Sequence, residues 1–190
     1  HMSARRQRQM CIRDSIHILS TPYDISDATL VADDGINWRT YKEPWGSSNT
    51  TMLPQTIRFN NDGTKMYLTE AVINTTDPQE SVGVVQYNLA TPFVPSSTTT
   101  VQVLNLRAQF PKTNIAIHAM NFDDDGTRMY VSAGNFNLET DHPHAVYELS
   151  MPFEISSAKH VGTFNFVNAS GGGVRAVGGV FSDDGNKYYM

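Results

Sequence analysis

Three neighbouring side chains near residue 140 have the chemistry of metal ligands. Asp141, His142 and His144 offer one carboxylate and two imidazoles, which are groups that bind zinc or nickel in proteins. Pro143 separates the two histidines and would hold them apart on an exposed loop. The segment therefore predicts either a divalent-metal site or a solvated polar loop before a strand.

A second polar group is defined by its spacing from phenylalanines that recur along the chain. Gln55 and His118 each lie four residues before such a phenylalanine, and Arg175 lies six residues before another. We expect these side chains where repeated strands converge on a central channel, where the cation would suit an anionic ligand or ordered water. The alternative is that they are ordinary polar residues at strand ends.

An aromatic segment has the composition of a sugar-binding surface. Trp38, Tyr41 and Trp45 occur within eight residues of one another, next to Pro44 and Gly46. Exposed aromatic rings can stack on sugar rings and carry much of the energy of a contact. The segment predicts a ligand-binding loop or, alternatively, a loop that fills the channel or covers the edge of a sheet.

No pattern of residues indicates a catalytic nucleophile. The chain has no serine in a Gly-x-Ser-x-Gly turn, and its glycine run at 171–173 lacks the Lys-Ser/Thr of a phosphate-binding loop. We therefore predict no catalytic residues and no cofactor, with a divalent metal at Asp141, His142 and His144 as the alternative.

The elements that must hold these residues are visible in two repeated segments. Residues 58–67 recur as 121–130 and 180–189 around an Asp-Gly pair, and residues 19–26 recur as 89–96 and 149–156 around a proline. Asp-Gly pairs are typical of tight hairpin turns, and the Val, Tyr and Thr between them favour strands. Each repeat therefore predicts four short antiparallel strands, A to D. They are expected at 56–60, 65–70, 82–89 and 101–106, and again at 118–122, 128–132, 145–150 and 160–166.

The phase of the repeats predicts an open architecture. Strands C and D come first, at 15–19 and 29–32, and strands A and B come last, at 177–181 and 187–190. The order C-D, A-B-C-D, A-B-C-D, A-B predicts an all-β fold, a β-propeller of about three four-stranded blades. Two copies joined head to tail would close a six-bladed ring, because open strand edges pair readily. The alternative is a longer protein with further blades.

The repeated segments resemble those of a known group of proteins. The pattern Phe-x-x-Asp-Gly-Thr-Lys-Met-Tyr, followed by Tyr-x-Leu-Ser-Thr-Pro-Phe-Asp-Ile-Ser, is similar to propeller-type repeats of phage tail-associated and bacterial surface proteins, with departures at Met151 and Val94-Pro95. The resemblance implies a non-enzymatic binding or structural module, such as an adhesin for glycan or protein, in a virion-associated or extracellular setting. A looser resemblance to lactonase-like propellers implies the alternative, a metal-dependent hydrolase with its site at the channel mouth.

Function is expected on the face of the fold where the repeats differ. The connections within and between repeats vary in length and sequence at 37–52, 70–81, 107–116, 133–144 and 167–174. The Asp-Gly turns on the other face are uniform. Because variable loops on a rigid scaffold usually carry binding sites, we expect the ligand on the variable face.

Composition limits the partners and the extent of the fold. The formal net charge of -5 disfavours nucleic acid, and no apolar run approaches the ~18 residues of a membrane span. His1 and Met2 have the form of a cloning remnant. Residues 3–14 resemble translated sequencing-adapter DNA from a metagenomic assembly, or else form a native basic tail. We expect residues 1–14 to lie outside the fold and residues 15–190 to form one propeller domain or a fragment of one.

Overall fold

The computed structural model describes residues 16–22, 24–32, 51–73, 83–110, 115–135, 143–166, 179–182 and 185–189. Within these ranges the sheets are antiparallel and the helices are single 3₁₀ turns, so the all-β prediction is confirmed. None of the helices among these residues has the length and apolar character needed to span a membrane.

Eight strands form two sheets of the same plan. The first sheet contains β3 (Thr51–Phe59), β4 (Lys65–Ile73), β5 (Gly83–Leu89) and β6 (Thr98–Asn105). The second sheet contains β7 (Ile115–Phe122), β8 (Arg128–Asn135), β9 (Pro143–Leu149) and β10 (Ala158–Asn165). In each sheet the strands pair in chain order. The four strands predicted for each complete repeat are therefore present, and β3 and β7 begin a few residues earlier than expected.

Two shorter sheets have two strands each. The strands β1 (Ile16–Ile18) and β2 (Thr29–Ala32) pair with each other, as do β11 (Val180–Phe181) and β12 (Tyr188–Tyr189). In the described part of the chain, β1 and β12 belong to different sheets. The strands expected at the two ends are thus present, but they do not pair with one another within one chain.

The first two sheets pack against each other because their strands carry apolar residues on both faces. The strand β5 is buried along almost its whole length, and β4 lies against β7. A single buried cluster joins residues of both sheets, including Tyr67, Val84, Ile117, Met120 and Met129. A sheet that is apolar on both faces needs a neighbour on each side, which is the requirement of stacked repeats.

At one end of the strands, the hairpin turns have the same structure in both repeats. The hairpin turn between β3 and β4 has Gly63 at φ 72°, and the turn between β7 and β8 has Gly126 at φ 71°. Glycine adopts this left-handed conformation without steric strain. In each turn the preceding aspartate, Asp62 or Asp125, accepts a hydrogen bond of 2.9 Å from the backbone N–H two residues later.

The loop between the third and fourth strands of each repeat contains one 3₁₀ turn, at Ile25–Asp27, Pro95–Ser97 and Ile155–Ser157. We call residues 20–28, 90–97 and 150–157 the docking loops. The backbone N–H of Phe93 donates to the carbonyl of Gly63, and that of Phe153 donates to Gly126, both at 2.9 Å. Hairpin turns and docking loops therefore lie at one end of the strands in each sheet, and the other connections leave from the opposite end.

Candidate functional site

Gln55 and His118 occupy the same irregularity in their sheets. The residue-by-residue pairing of β3 with β4 skips Gln55, and the pairing of β7 with β8 skips His118. Each residue is therefore the extra residue of a β-bulge, a feature that redirects a side chain and often lies beside functional sites. Gln55 is exposed, whereas His118 is only 2% exposed.

The strands that carry these bulges are neighbours in space. The Thr56 hydroxyl donates to the carbonyl of His118 at 2.8 Å, and Arg58 Nε donates to Asn121 Oδ1 at 3.3 Å. Asn121 Nδ2 in turn donates to the carbonyl of Gly179 at 2.6 Å. The first strands of successive repeats are thus held side by side, and the two bulges lie on neighbouring strands of different sheets.

His144, a candidate metal ligand, lies on β9 and is buried, so the expectation that it occupies an exposed loop is wrong. It is 3% exposed, and its Nδ1 lies 2.8 Å from the Ser132 hydroxyl, which is 3.4 Å from the hydroxyl of Tyr188. Its ring stacks on Phe164 with centroids 5.5 Å apart and meets Phe166 edge-on at 4.6 Å. A Ser–His pair resembles the start of a hydrolase nucleophile arrangement. Here both side chains are buried among aromatic rings, which suits a polar contact within the core.

Five candidate residues fall outside the described residues: Trp38, Trp45, Asp141, His142 and Arg175. Within the described ranges, no three His, Cys, Asp or Glu side chains converge as metal ligands would. The metal site and the aromatic loop therefore stay predictions, and the geometry bears only on Gln55, His118 and His144.

A polar contact between the two sheets is centred on Glu154, which the sequence analysis did not single out. Its carboxylate lies 2.7 Å from Lys65 Nζ and accepts from Gln86 Nε2 at 3.1 Å. Gln86 Oε1 accepts from the backbone N–H of Ile155 at 2.9 Å. Lys65 and Gln86 belong to β4 and β5, so the docking loop of the second repeat crosses to the preceding sheet.

The charge of Glu154 is fixed by this contact. Partial burial desolvates the carboxylate and by itself would raise its pKa. Hydrogen bonds from Lys65 and Gln86, together with the positive charge of Lys65, outweigh that effect, so the pKa of Glu154 lies below its ordinary value. The ionised carboxylate is therefore the form that the junction binds.

An aromatic group lies next to this ion pair. The Phe153 ring packs on Gly126, where a Cβ would collide with it, and its centroid is 5.2 Å from that of Phe122. From the first sheet, the Tyr67 hydroxyl donates to the Phe153 carbonyl, and the Tyr67 ring lies 4.7 Å from Phe122. Burial raises the pKa of Tyr67, which keeps the hydroxyl neutral and able to donate. The docking loop thus contributes a ring and a carboxylate to the junction with the preceding sheet.

The sequence contains a signal for this junction that its local pattern does not explain. A Pro-Phe step recurs at 92–93 and 152–153, and a glycine recurs in each hairpin turn. The phenylalanine and the glycine meet within one repeat. Glu154, in contrast, contacts Lys65 of the other repeat, 89 residues away, and this contact depends on how the sheets stack.

Comparisons of the chain with models of protein families, with curated proteins and with solved structures found no match.

Proposed function

We propose that this chain is a non-enzymatic binding or structural module whose sheets are blades of a β-propeller. The observation that carries the proposal is the junction between the two four-stranded sheets. Their first strands contact each other at positions 62 and 63 residues apart, one repeat length. The docking loop of one repeat covers the preceding sheet. Sheets that stack by one repeat and meet through their first strands are expected of a propeller.

We assign ligand binding to the end of the strands opposite the hairpin turns. The turns and docking loops are uniform and make contacts between sheets, so their end of the strands supports the scaffold. The connections at the other end differ in length and sequence, and such loops can vary and bind ligands without disturbing a rigid fold. The ligand class that we propose is a glycan or a protein, bound through Trp38 and Trp45. The setting is a phage tail or surface adhesin, virion-associated or extracellular.

The partner that we propose for the chain is a second copy of itself. The strands β1 and β2 pair with each other, as do β11 and β12, and we assign the first pair as the last two strands of a blade and the second pair as the first two. Pairing of β12 from one copy with β1 from another would complete a four-stranded blade at each junction. Two chains would then close a six-bladed ring without open strand edges.

A glycan array probed with the purified chain tests the ligand class. We expect binding that is lost in Trp45→Ala, because removing a central aromatic side chain costs about 2 kcal/mol or more, roughly thirtyfold in affinity. Met151→Ala is the control, since Met151 is exposed in a docking loop, at the other end of the strands. Binding that Trp45→Ala leaves unchanged, or no binding by the wild-type chain, would refute the assignment to this loop.

A metal-dependent hydrolase or lactonase-like enzyme is the second candidate, and the two polar bulges favour it. Gln55 and His118 lie on adjacent first strands, which in a propeller line the channel. Metal analysis of the purified chain separates the two candidates. A stoichiometric ion that His118→Ala removes would favour the enzyme, whereas a metal-free chain that binds a glycan would favour the binding module.

A further inference from the structure

On the basis of the proposed propeller, we propose that the docking loop at residues 20–28 of one copy binds the far face of the second sheet of another copy. The far face is the side of that sheet turned away from the first sheet. In this contact Asp24 of one copy lies opposite Arg128 of the other.

The junction within one chain supplies the template for this contact. There the docking loop of the second repeat covers β4 and β5, and Ile155 is only 1% exposed. The side chain of Lys65 beneath it is 22% exposed and pairs with Glu154. The repeats give each of these residues a counterpart: Arg128 for Lys65, Asp24 for Glu154 and Ile25 for Ile155.

These counterparts are exposed in the single chain. Ile25 is 83% exposed, in contrast to the buried Ile155. The side chain of Arg128 is 55% exposed and lies 3.6 Å from Glu148 of its own sheet. Because Ile155 is buried where its docking loop meets the preceding sheet, we expect Ile25 to be buried where its own docking loop meets a sheet of the same kind.

Two cavities on the far face lie where the missing docking loop would be. One of about 470 Å³ is lined by Arg128, Glu148 and Leu149, among others. Another of about 320 Å³ is lined by Tyr130, Phe181 and the two adjoining hairpin turns. At the corresponding places in the junction within the chain, Glu154 of the docking loop pairs with Lys65, and the Phe153 ring packs on Gly126.

The second cavity contains an aromatic pair that lacks its third member. The rings of Tyr130 and Phe181 are 4.6 Å apart, and the corresponding rings of the internal junction are 4.7 Å apart. There Phe153 completes the group by packing on Gly126. Gly185 has the same left-handed backbone, with φ 68°, yet no described atom lies within 4 Å of the place a Cβ would take. The docking loop at 20–28 carries an aromatic residue, Tyr23, at the position of Phe153.

The lengths of the charged side chains also match. Aspartate is one methylene shorter than glutamate, and arginine reaches further than lysine, so Asp24 with Arg128 spans a distance similar to that of Glu154 with Lys65. Asp24 is held in place by Ser26, whose backbone N–H and hydroxyl donate to its Oδ1 at 2.9 and 2.6 Å. The acceptor is thus oriented before the second copy binds.

The other junction of the same dimer follows the same rule. Phe93 is 52% exposed and Tyr189 is 54% exposed, whereas Tyr67, the counterpart of Tyr189, is fully buried beneath the loop that carries Phe153. In the closed dimer Tyr189 of one copy lies against Phe93 of the other. Two heterologous junctions therefore bury both sets of exposed residues, which is what closure of the ring requires.

Charge reversal measured by sedimentation velocity tests the contact. We expect the wild-type chain to be a dimer, and Asp24→Arg or Arg128→Asp alone to raise the dissociation constant at least about tenfold, because each puts like charges at that junction. An equimolar mixture of the two variants should recover the dimer, since every such junction of the mixed dimer joins opposite charges. Circular dichroism checks that each variant is folded.

Lys159→Glu is the matched control. Lys159 borders the same cavity as Arg128, but its counterpart in the first sheet, Thr99, stays exposed beside the docked loop. This reversal should leave the dimer intact. A monomeric wild-type chain, single variants that remain dimeric, or a mixture that fails to recover would each overturn the contact. A monomer that still binds a glycan would leave the proposed function standing, whereas a dimer with the expected behaviour that binds none would do the reverse.

Discussion

Among individual residues, Phe153 and Glu154 decide how one sheet holds the next. Phe153 has φ 58°, a left-handed backbone that costs a residue with a side chain about 1–2 kcal/mol. The packing of its ring on Gly126 and the hydrogen bond from its N–H to the carbonyl of Gly126 offset that cost. Phe93 repeats the conformation at φ 59°, so the strained aromatic is a feature of the docking loop and not an accident of one repeat.

Replacement of Glu154 should destabilise the chain in a pH-dependent way. Because the folded-state pKa of Glu154 is lowered, its contribution is present above the unfolded-state pKa and is lost as the pH falls through the folded-state value. We expect Glu154→Gln to lower the free energy of unfolding by about 1–2 kcal/mol at pH 7, and by much less in acid. Urea unfolding at several pH values measures the difference.

Glu148→Gln is the control for this prediction. Glu148 also lies near a cation, Arg128, but its side chain is 56% exposed, and solvent screens such pairs strongly. In dilute monomeric protein, its substitution should change the free energy of unfolding little at any pH. A constant deficit for Glu154→Gln from neutral to acid pH would mean that the lost contact is one of packing and not of charge.

Among elements, the docking loops and the bulged first strands have different tasks. The docking loops join neighbouring sheets near the hairpin turns, through Tyr67 and Lys65. The first strands join the sheets through backbone and side-chain contacts at the bulges. The opposite end of the strands also contributes to the scaffold, because Leu106 and Phe110 are buried in the cluster that joins the two sheets. We assign ligand binding to that end because its loops differ in length and sequence from one repeat to the next.

Tyr67 and Tyr130 occupy equivalent positions in the two repeats. Comparing their substitutions separates the contribution of the docking-loop hydrogen bond from that of the tyrosine itself. Tyr67→Phe removes the hydrogen bond to the Phe153 carbonyl and should cost about 1 kcal/mol of unfolding free energy. Tyr130→Phe should cost much less in dilute monomeric protein, because no docking loop of the described residues covers Tyr130. Equal losses in the two variants, measured by denaturant unfolding, would contradict the role given to the loop.

For the whole molecule, the proposed dimer would cover apolar side chains that are exposed in the single chain. The exposed Ile25 and Tyr189 correspond to Ile155 and Tyr67, which are buried between the first and second sheets, and the exposed Phe93 corresponds to the partly buried Phe153. Burial of such groups would stabilise each chain in proportion to the apolar area removed from water. In the proposed dimer, the stability of the fold and its assembly are therefore coupled.

This coupling predicts a thermal midpoint that depends on protein concentration. If the dimer is the stable form, mass action should raise the midpoint by about 2–4 °C for each tenfold increase in chain concentration. Calorimetry over two decades of concentration measures it. Arg128→Asp, which should weaken the junction, is expected to flatten the dependence, and a midpoint independent of concentration in the wild type would argue against assembly.

The strand positions could be predicted because their causes are local. Asp-Gly pairs fix the hairpin turns, prolines fix the docking loops, and the β-branched and aromatic residues between them fix the strands. The irregularity at Gln55 and His118 could not be predicted, because a bulge arises from the register between two strands and leaves no mark in either alone. The same reason hid the burial of His144 against Ser132, which depends on the pairing of β8 with β9.

The sequence by itself determined the repeat, its four strands and its phase, since all three depend on residues close together in the chain. Only the tertiary structure decided that Glu154 pairs with Lys65 and that Ile155 is buried while Ile25 is exposed. It also decided that, among the described residues, no aromatic ring covers Gly185 as Phe153 covers Gly126. These facts depend on which repeat lies beside which. Contacts between segments some sixty to ninety residues apart are set by the stacking of whole sheets and not by local preference.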